Sequence, residues 1–164
     1  MNIERRAFLL AMKAHERQLY GVDPYMVHLF DVVKALRRHG HTQEELLSAA
    51  WLHDIIEDTP FNYADVRSEC GTDVAEIVLA LTDEVGRNRK ERKAKTLPKL
   101  SGNFEAQCVK LADWIANVEN AISEKPQLVQ MYQKDWKDFA EAYWGAYNQL
   151  DPMWMHLESL LRPR

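Results

Sequence analysis

The chain is 164 residues long, 46% hydrophobic and 28% charged, with a formal net charge of −4. That length can bury one sizeable core, so the sequence reads as one domain spanning residues 1–164. The mild acidity excludes a general electrostatic pull toward nucleic acid or a membrane surface, and two distant cysteines, Cys70 and Cys108, exclude a disulfide scaffold or a zinc knuckle.

The N-terminal stretch MNIERRAFLLAMKAHERQ is charged from its start and carries no signal-peptide core. No apolar run approaches the length of a membrane span. A cytoplasmic protein with reduced thiols is the expectation.

Hydrophobic periodicity predicts helices throughout. Residues 3–19 place Ile3, Ala7, Leu10 and Ala14 at roughly helical spacing. Gly21 and Val22 break that pattern. A second helix is expected over 24–38, with Asp23 as N-cap and Pro24 in the first helical position. Thr42-Gln43-Glu44-Glu45 reads as a capping box opening a third helix, which Pro60 ends. Asn62 and Thr72 read as caps of two further helices, with Gly71 as the stop between them. Strand-like alternation is nowhere sustained, so the expected fold class is all-α, a compact multi-helix domain.

The third helix carries the densest chemistry, His53-Asp54-Ile55-Ile56-Glu57-Asp58-Thr59. Residues four apart share a helix face, which puts Glu57 over His53 and Asp58 over Asp54. An imidazole and three carboxylates then crowd one turn beside apolar Ala49, Ala50, Trp51 and Leu52. Such groups repel one another and resist desolvation, and a bound cation relieves both problems. His28 falls one turn into the second helix among Val27, Leu29 and Phe30. Asp113 interrupts the apolar helical segment Val109–Asn117, with Asn117 one turn later. In chain order the set is H…HD…D. Two imidazoles and two carboxylates suit a divalent transition metal and leave positions open for water and substrate.

Arg87 to Lys95 is a basic run inside an acidic protein. It reads either as a solvated face or as a flank that meets a polyphosphate. Trp136, Phe139, Ala140, Tyr143, Trp144 and Tyr147 recur at the spacing of a packed helix face, and Trp154, Met155, Leu157, Leu160 and Leu161 continue it. His15, His39, His41 and His156 read as surface or structural.

The motifs PYMVH at 24–28, HDIIEDT at 53–59, LTDE at 81–84 and VKLADWIAN at 109–117 resemble those of HD-domain metal-dependent phosphohydrolases. They are most similar to the hydrolase domain of the RelA/SpoT alarmone enzymes, especially the small stand-alone hydrolases. The resemblance runs from about His15 to Tyr132. It implies a metal held by His28, His53, Asp54 and Asp113, with Glu57 and Asp58 orienting and deprotonating a water. It implies substrate contacts from Arg89 and Lys93 in the basic run, and from Asn117 and Tyr132. The implied reaction removes the 3′-pyrophosphate of ppGpp or pppGpp, the nucleotides of the stringent response, giving GDP or GTP. The resemblance implies manganese, while ligand chemistry alone also allows iron, cobalt or zinc.

Two departures touch specificity. The family usually carries Arg or Lys just after the first helix, near the base. Here that stretch is Arg17-Gln18-Leu19-Tyr20-Gly21, so Tyr20 is left to face the base. The first ligand is followed by Leu29 rather than proline. Alternatives are therefore an HD phosphohydrolase acting on a nucleoside monophosphate, a deoxynucleotide or a dinucleotide phosphate, and a non-catalytic nucleotide-binding module. A small-molecule nucleotide is the expected partner, with neither nucleic acid nor membrane, and a homo-oligomer is left open.

Overall fold

In the computed structural model the described part of the protein is residues 1–162, apart from the side chain of Arg89. Helix α1 (Ile3–Ala14) starts at Asn2, whose side chain accepts from the Arg5 amide. It ends earlier than the 3–19 expected from sequence, because the chain turns at His15 and forms a small hairpin. Strand β1 (Leu19–Tyr20) pairs antiparallel with β2 (Asp23–Pro24). Gly21 sits at φ +68 in the two-residue loop between them, a conformation that favours glycine.

That hairpin takes Asp23 and Pro24 out of their expected helix-start roles. Helix α2 (Met26–Arg38) begins two residues later, behind Tyr25, with no side-chain cap. Helix α3 (Glu44–Leu52) starts at Gln43 without a side-chain cap bond, so the capping box expected at Thr42–Glu45 does not form. Glu44 instead reaches across to accept from the Ile3 amide at 2.9 Å, which ties α3 to the start of α1.

The expected continuous helix through His53–Thr59 is broken. A turn at His53–Asp54 separates α3 from the short α4 (Ile55–Asp58), and Asp54 sits at φ −103, ψ 1. Thr59 is extended ahead of Pro60, which is where the proline was expected to stop the helix. Helix α5 (Tyr63–Cys70) has the Asn62 capping box and ends at Gly71 with φ +91, as its sequence signals require. The same Gly71, rather than Thr72, caps α6 (Thr72–Leu81).

Helix α7 (Arg89–Thr96) carries the basic run. The 21-residue α8 (Phe104–Glu124) is the axis of the fold, and it buries Cys108, Val109, Leu111, Ala112, Ile115 and Val118. At about 1.5 Å per residue it spans roughly 30 Å. Helices α2, α3, α6, α9 (Val129–Tyr143) and α10 (Asp151–Leu161) pack around it. Phe139, Tyr143, Trp154 and Leu157 fill the α8–α9–α10 side of the core, as their spacing predicted. Met155 does not join them, being 63% exposed. Among the described residues no helix is long and apolar enough to cross a membrane.

Candidate metal centre

Three helices converge on one buried point. His28 comes from the first turn of α2, His53 from the end of α3, and Asp113 from the middle of α8. Their ligand atoms all lie within 4.8 Å of one another. His28 Nε2 is 3.3 Å from Asp113 Oδ1, and His53 Nε2 is 3.8 Å from the same oxygen. Asp54 Oδ2 lies 2.8 Å from His53 Nε2 and 4.0 Å from His28 Nε2. The turn that ends α3 explains this fourth member. A straight helix directs consecutive side chains about 100° apart, whereas the bend at Asp54 brings its carboxylate back beside His53.

The donor set fits a divalent cation. His53 Nδ1 lies 2.9 Å from the Ala50 carbonyl oxygen, which can only accept, so Nδ1 carries a proton. Nε2 of the neutral ring is then the lone-pair nitrogen. It is buried and has no partner in hydrogen-bond geometry, although Asp54 is close. That nitrogen borders a space shared with His28 and Asp113, with the Asp54 carboxylate at its edge. Two imidazoles and two carboxylates form a mixed nitrogen and oxygen set of the kind divalent transition metals take.

The charges of these side chains act strongly on one another. Burial alone would lower the His53 pKa, but Asp54, and then Asp113, outweigh it and push it up to about 9. Burial would likewise raise Asp54, yet His53 brings it down to about 2. Asp113 is held well below the usual carboxylate range. There burial is opposed chiefly by Lys110, one turn back on α8, with Nζ 3.1 Å from Oδ2.

A ring of polar contacts fixes these side chains. The Tyr25 hydroxyl donates to Asp54 Oδ2. Asn117 Nδ2 donates to Asp113 Oδ1 at 2.6 Å, and Asn117 Oδ1 accepts from the Tyr20 hydroxyl at 2.9 Å. The Tyr20 ring stacks on His28 with centroids 4.9 Å apart. Asp58 Oδ2 accepts from Gln18 Nε2 at 2.8 Å, and Gln18 Oε1 lies 2.6 Å from Nδ1 of His15. His15 is itself buried and stacked on Tyr25. Glu57 Oε2 accepts from the Asp83 amide at 3.1 Å, which joins the HDIIEDT and LTDE segments. Burial raises the Glu57 pKa above the usual glutamate value.

Two other sequence candidates have contacts of their own. Lys93 Nζ pairs with Asp135 at 3.3 Å. Tyr132 packs edge-on against Trp114, with centroids 5.7 Å apart. The Arg89 side chain lies outside the described residues. Gln18, Tyr25 and Lys110 were missed by the sequence reading. Lys110 had a usable signal, because it precedes Asp113 by three residues and so shares its helix face. Tyr25 had a weaker one, three residues before His28.

Fold and site together define an all-α domain that gathers side chains able to hold a metal ion from three helices around a His-Asp pair. The chain belongs to the HD-domain family, whose profile, described as "HD domain", matches residues 7–141. The bifunctional (p)ppGpp synthase/hydrolase SpoT of Escherichia coli K12 is 35% identical over 130 residues, covering 74% of this chain and 18% of SpoT. The guanosine-3′,5′-bis(diphosphate) 3′-pyrophosphohydrolase MESH1 of Drosophila melanogaster is 33% identical over 99 residues, covering 59% of this chain and 55% of MESH1. The matched part of this chain thus spans under a fifth of SpoT and about half of MESH1. A solved structure of a metazoan ortholog of SpoT superposes with a TM-score of 0.81 over 99% of this chain and 95% of that one, at 23% identity. The crystal structure of lmo0812 from Listeria monocytogenes superposes with a TM-score of 0.63 at 28% identity, covering 85% of this chain and 98% of that one.

Proposed function

We propose that the protein is a metal-dependent pyrophosphohydrolase that removes the 3′-pyrophosphate of ppGpp or pppGpp, releasing GDP or GTP. One observation carries the reading. The convergence of His28, His53, Asp54 and Asp113 is flanked by both Glu57 and Asp58, in a chain whose named relatives are (p)ppGpp hydrolases.

His28, His53, Asp54 and Asp113 would hold one divalent ion, manganese by family resemblance. Bound there, it would polarise a phosphoryl oxygen and acidify a water. The chain's own residues supply the rest. Ala50 fixes the His53 ring, Tyr25 anchors Asp54, and Asn117 with Lys110 anchors Asp113. Fixed ligands cost no reorganisation when charge develops. Glu57, with its raised pKa, accepts the proton of the attacking water, and Asp58, steadied by Gln18, orients it. Water adds to the phosphorus bonded to the ribose O3′. The O3′–P bond breaks, O3′ takes a proton, and pyrophosphate leaves with the oxygen from water.

The test is a substrate panel with purified, manganese-loaded protein: ppGpp, AMP, deoxynucleoside monophosphates, GTP and NADPH. GDP and pyrophosphate from ppGpp, at a kcat/KM far above the others, support the reading. Preferred turnover of another member would make the protein a different HD phosphohydrolase. Silence across the panel with metal bound would favour a nucleotide-binding module.

A further inference from the structure

We infer that Lys125 is a specificity-determining residue of this site, recognising a second phosphate group of the substrate away from the scissile bond. The inference rests on the proposed reaction and names a contact that the HD motifs do not contain.

The hairpin beside the metal centre, Leu19 to Tyr25, has no lysine or arginine. A cation nevertheless reaches it from the far end of α8. Lys125 follows the last residue of that helix, and its Nζ lies 5.4 Å from the Tyr20 ring centroid. Gly21 borders the same ammonium. A Cβ built there would stand 3.1 Å from Lys125 Nζ, so the turn leaves room for the ammonium. Tyr20 in turn stacks on His28 and donates to Asn117, which holds Asp113. The Lys125 ammonium therefore sits one aromatic layer out from a metal ligand, on the rim of the centre.

Its ionic state sets it apart from several other lysines of the chain. Lys93 is paired with Asp135, Lys95 with Glu91, Lys99 with Glu84, and Lys110 with Asp113. Among the described residues Lys125 has no carboxylate within salt-bridge distance. The π-face of Tyr20 holds it in place without neutralising it. An unpaired, half-buried ammonium at the edge of an acidic centre favours a polyanion. With the 3′-diphosphate at the metal, the 5′-diphosphate is the other polyanionic group that a substrate such as ppGpp carries. The Tyr20–His28 stack also leaves that tyrosine less free to stack on a base, so charge rather than stacking becomes the hairpin's contribution.

The test compares ppGpp with guanosine 3′-diphosphate, which keeps the scissile group and lacks the 5′-phosphates. Wild type, Lys125→Met and Lys125→Arg are assayed with manganese. Loss of one charge-assisted contact corresponds to about a tenfold change or more. Lys125→Met should raise KM for ppGpp about tenfold, leave kcat within about twofold, and leave KM for guanosine 3′-diphosphate unchanged. Lys125→Arg should restore most of the difference. An unchanged KM for ppGpp, or an equal rise for both substrates, overturns the role of Lys125 while wild-type turnover keeps the proposed reaction. Absence of ppGpp turnover by the wild type overturns the reaction itself, and the Lys125 role with it.

Discussion

Lys110 and Asp113 stand three residues apart on α8, with Nζ 3.1 Å from Oδ2, while the other carboxylate oxygen faces His28 at 3.3 Å. One carboxylate thus joins a fixed cation to the place where a metal cation would bind. Removing the lysine leaves a largely buried carboxylate without its chief partner. Lys110→Met should destabilise the metal-free protein by about 1–3 kcal/mol. Manganese should raise its melting temperature more than it raises that of the wild type, because the ion then supplies the missing charge. Calorimetry with and without metal checks this, and equal metal-induced shifts would contradict it.

Asp54 is placed by the bend between α3 and α4, next to His53 and under the Tyr25 hydroxyl. Asp54→Asn keeps the shape and removes the charge. It should lose stoichiometric metal and turnover while the far-ultraviolet circular dichroism stays helical. Metal analysis after gel filtration decides the matter, since retention of one ion per chain would remove Asp54 from the ligand set.

Glu57 is tied to the Asp83 amide rather than to the buried cluster. A base acting on water is worth typically about 10²- to 10⁴-fold. Glu57→Ala should therefore keep the metal and lose kcat by roughly that factor. Near-normal turnover would place the water's proton elsewhere, with Asp58 the next residue to test.

Much of this centre was legible because its parts are helical and their spacing is short. His28, His53, Asp54 and Asp113 each stand out as polar residues in apolar helical segments, and burial of that kind calls for a partner. The break at His53–Asp54 was not legible. Nothing in HDIIEDT signals a turn, since tertiary packing of Ile55 and the Tyr25–Asp54 bond override a run that would otherwise continue as helix. The hairpin was hidden for a related reason. Asp-Pro is a good helix start in isolation, and here the Tyr20–Asp23 pairing competes with that local signal and wins. Lys125 lies eight residues beyond Asn117 in sequence and meets Tyr20 only because the hairpin folds back over α8. Contacts of that kind carry no periodicity to read.

Away from the metal centre, α2 and α10 meet through two histidines. His39 Nε2 lies 3.0 Å from His156 Nδ1, and His156 Nε2 is 3.5 Å from Glu119, which also pairs with Arg38. Both pKa values lie below the ordinary histidine value. Burial is the first cause for each; the partner histidine, Arg38 and His41 add to it at His39, and Arg38 adds to it at His156, against Glu119. The unfolded chain then binds more protons than the folded one as pH falls, so stability rises with pH in this range. The contribution is fully present above about pH 6.5 and is lost as pH falls through the lowered values. His156→Gln should flatten the fall in melting temperature between pH 7 and pH 5. Parallel curves for the variant and the wild type would contradict it.

In the proposed reaction one ion, held by His28, His53, Asp54 and Asp113, supports hydrolysis of ppGpp. The most direct measurement strips the protein of metal, restores manganese stepwise, and follows GDP and pyrophosphate release against metal bound per chain. Products should be equimolar, the rate should climb linearly to one ion per chain and then level, and Asp54→Asn should show no rate at any loading. Persistence of ppGpp at full occupancy, or turnover independent of bound metal, would contradict it.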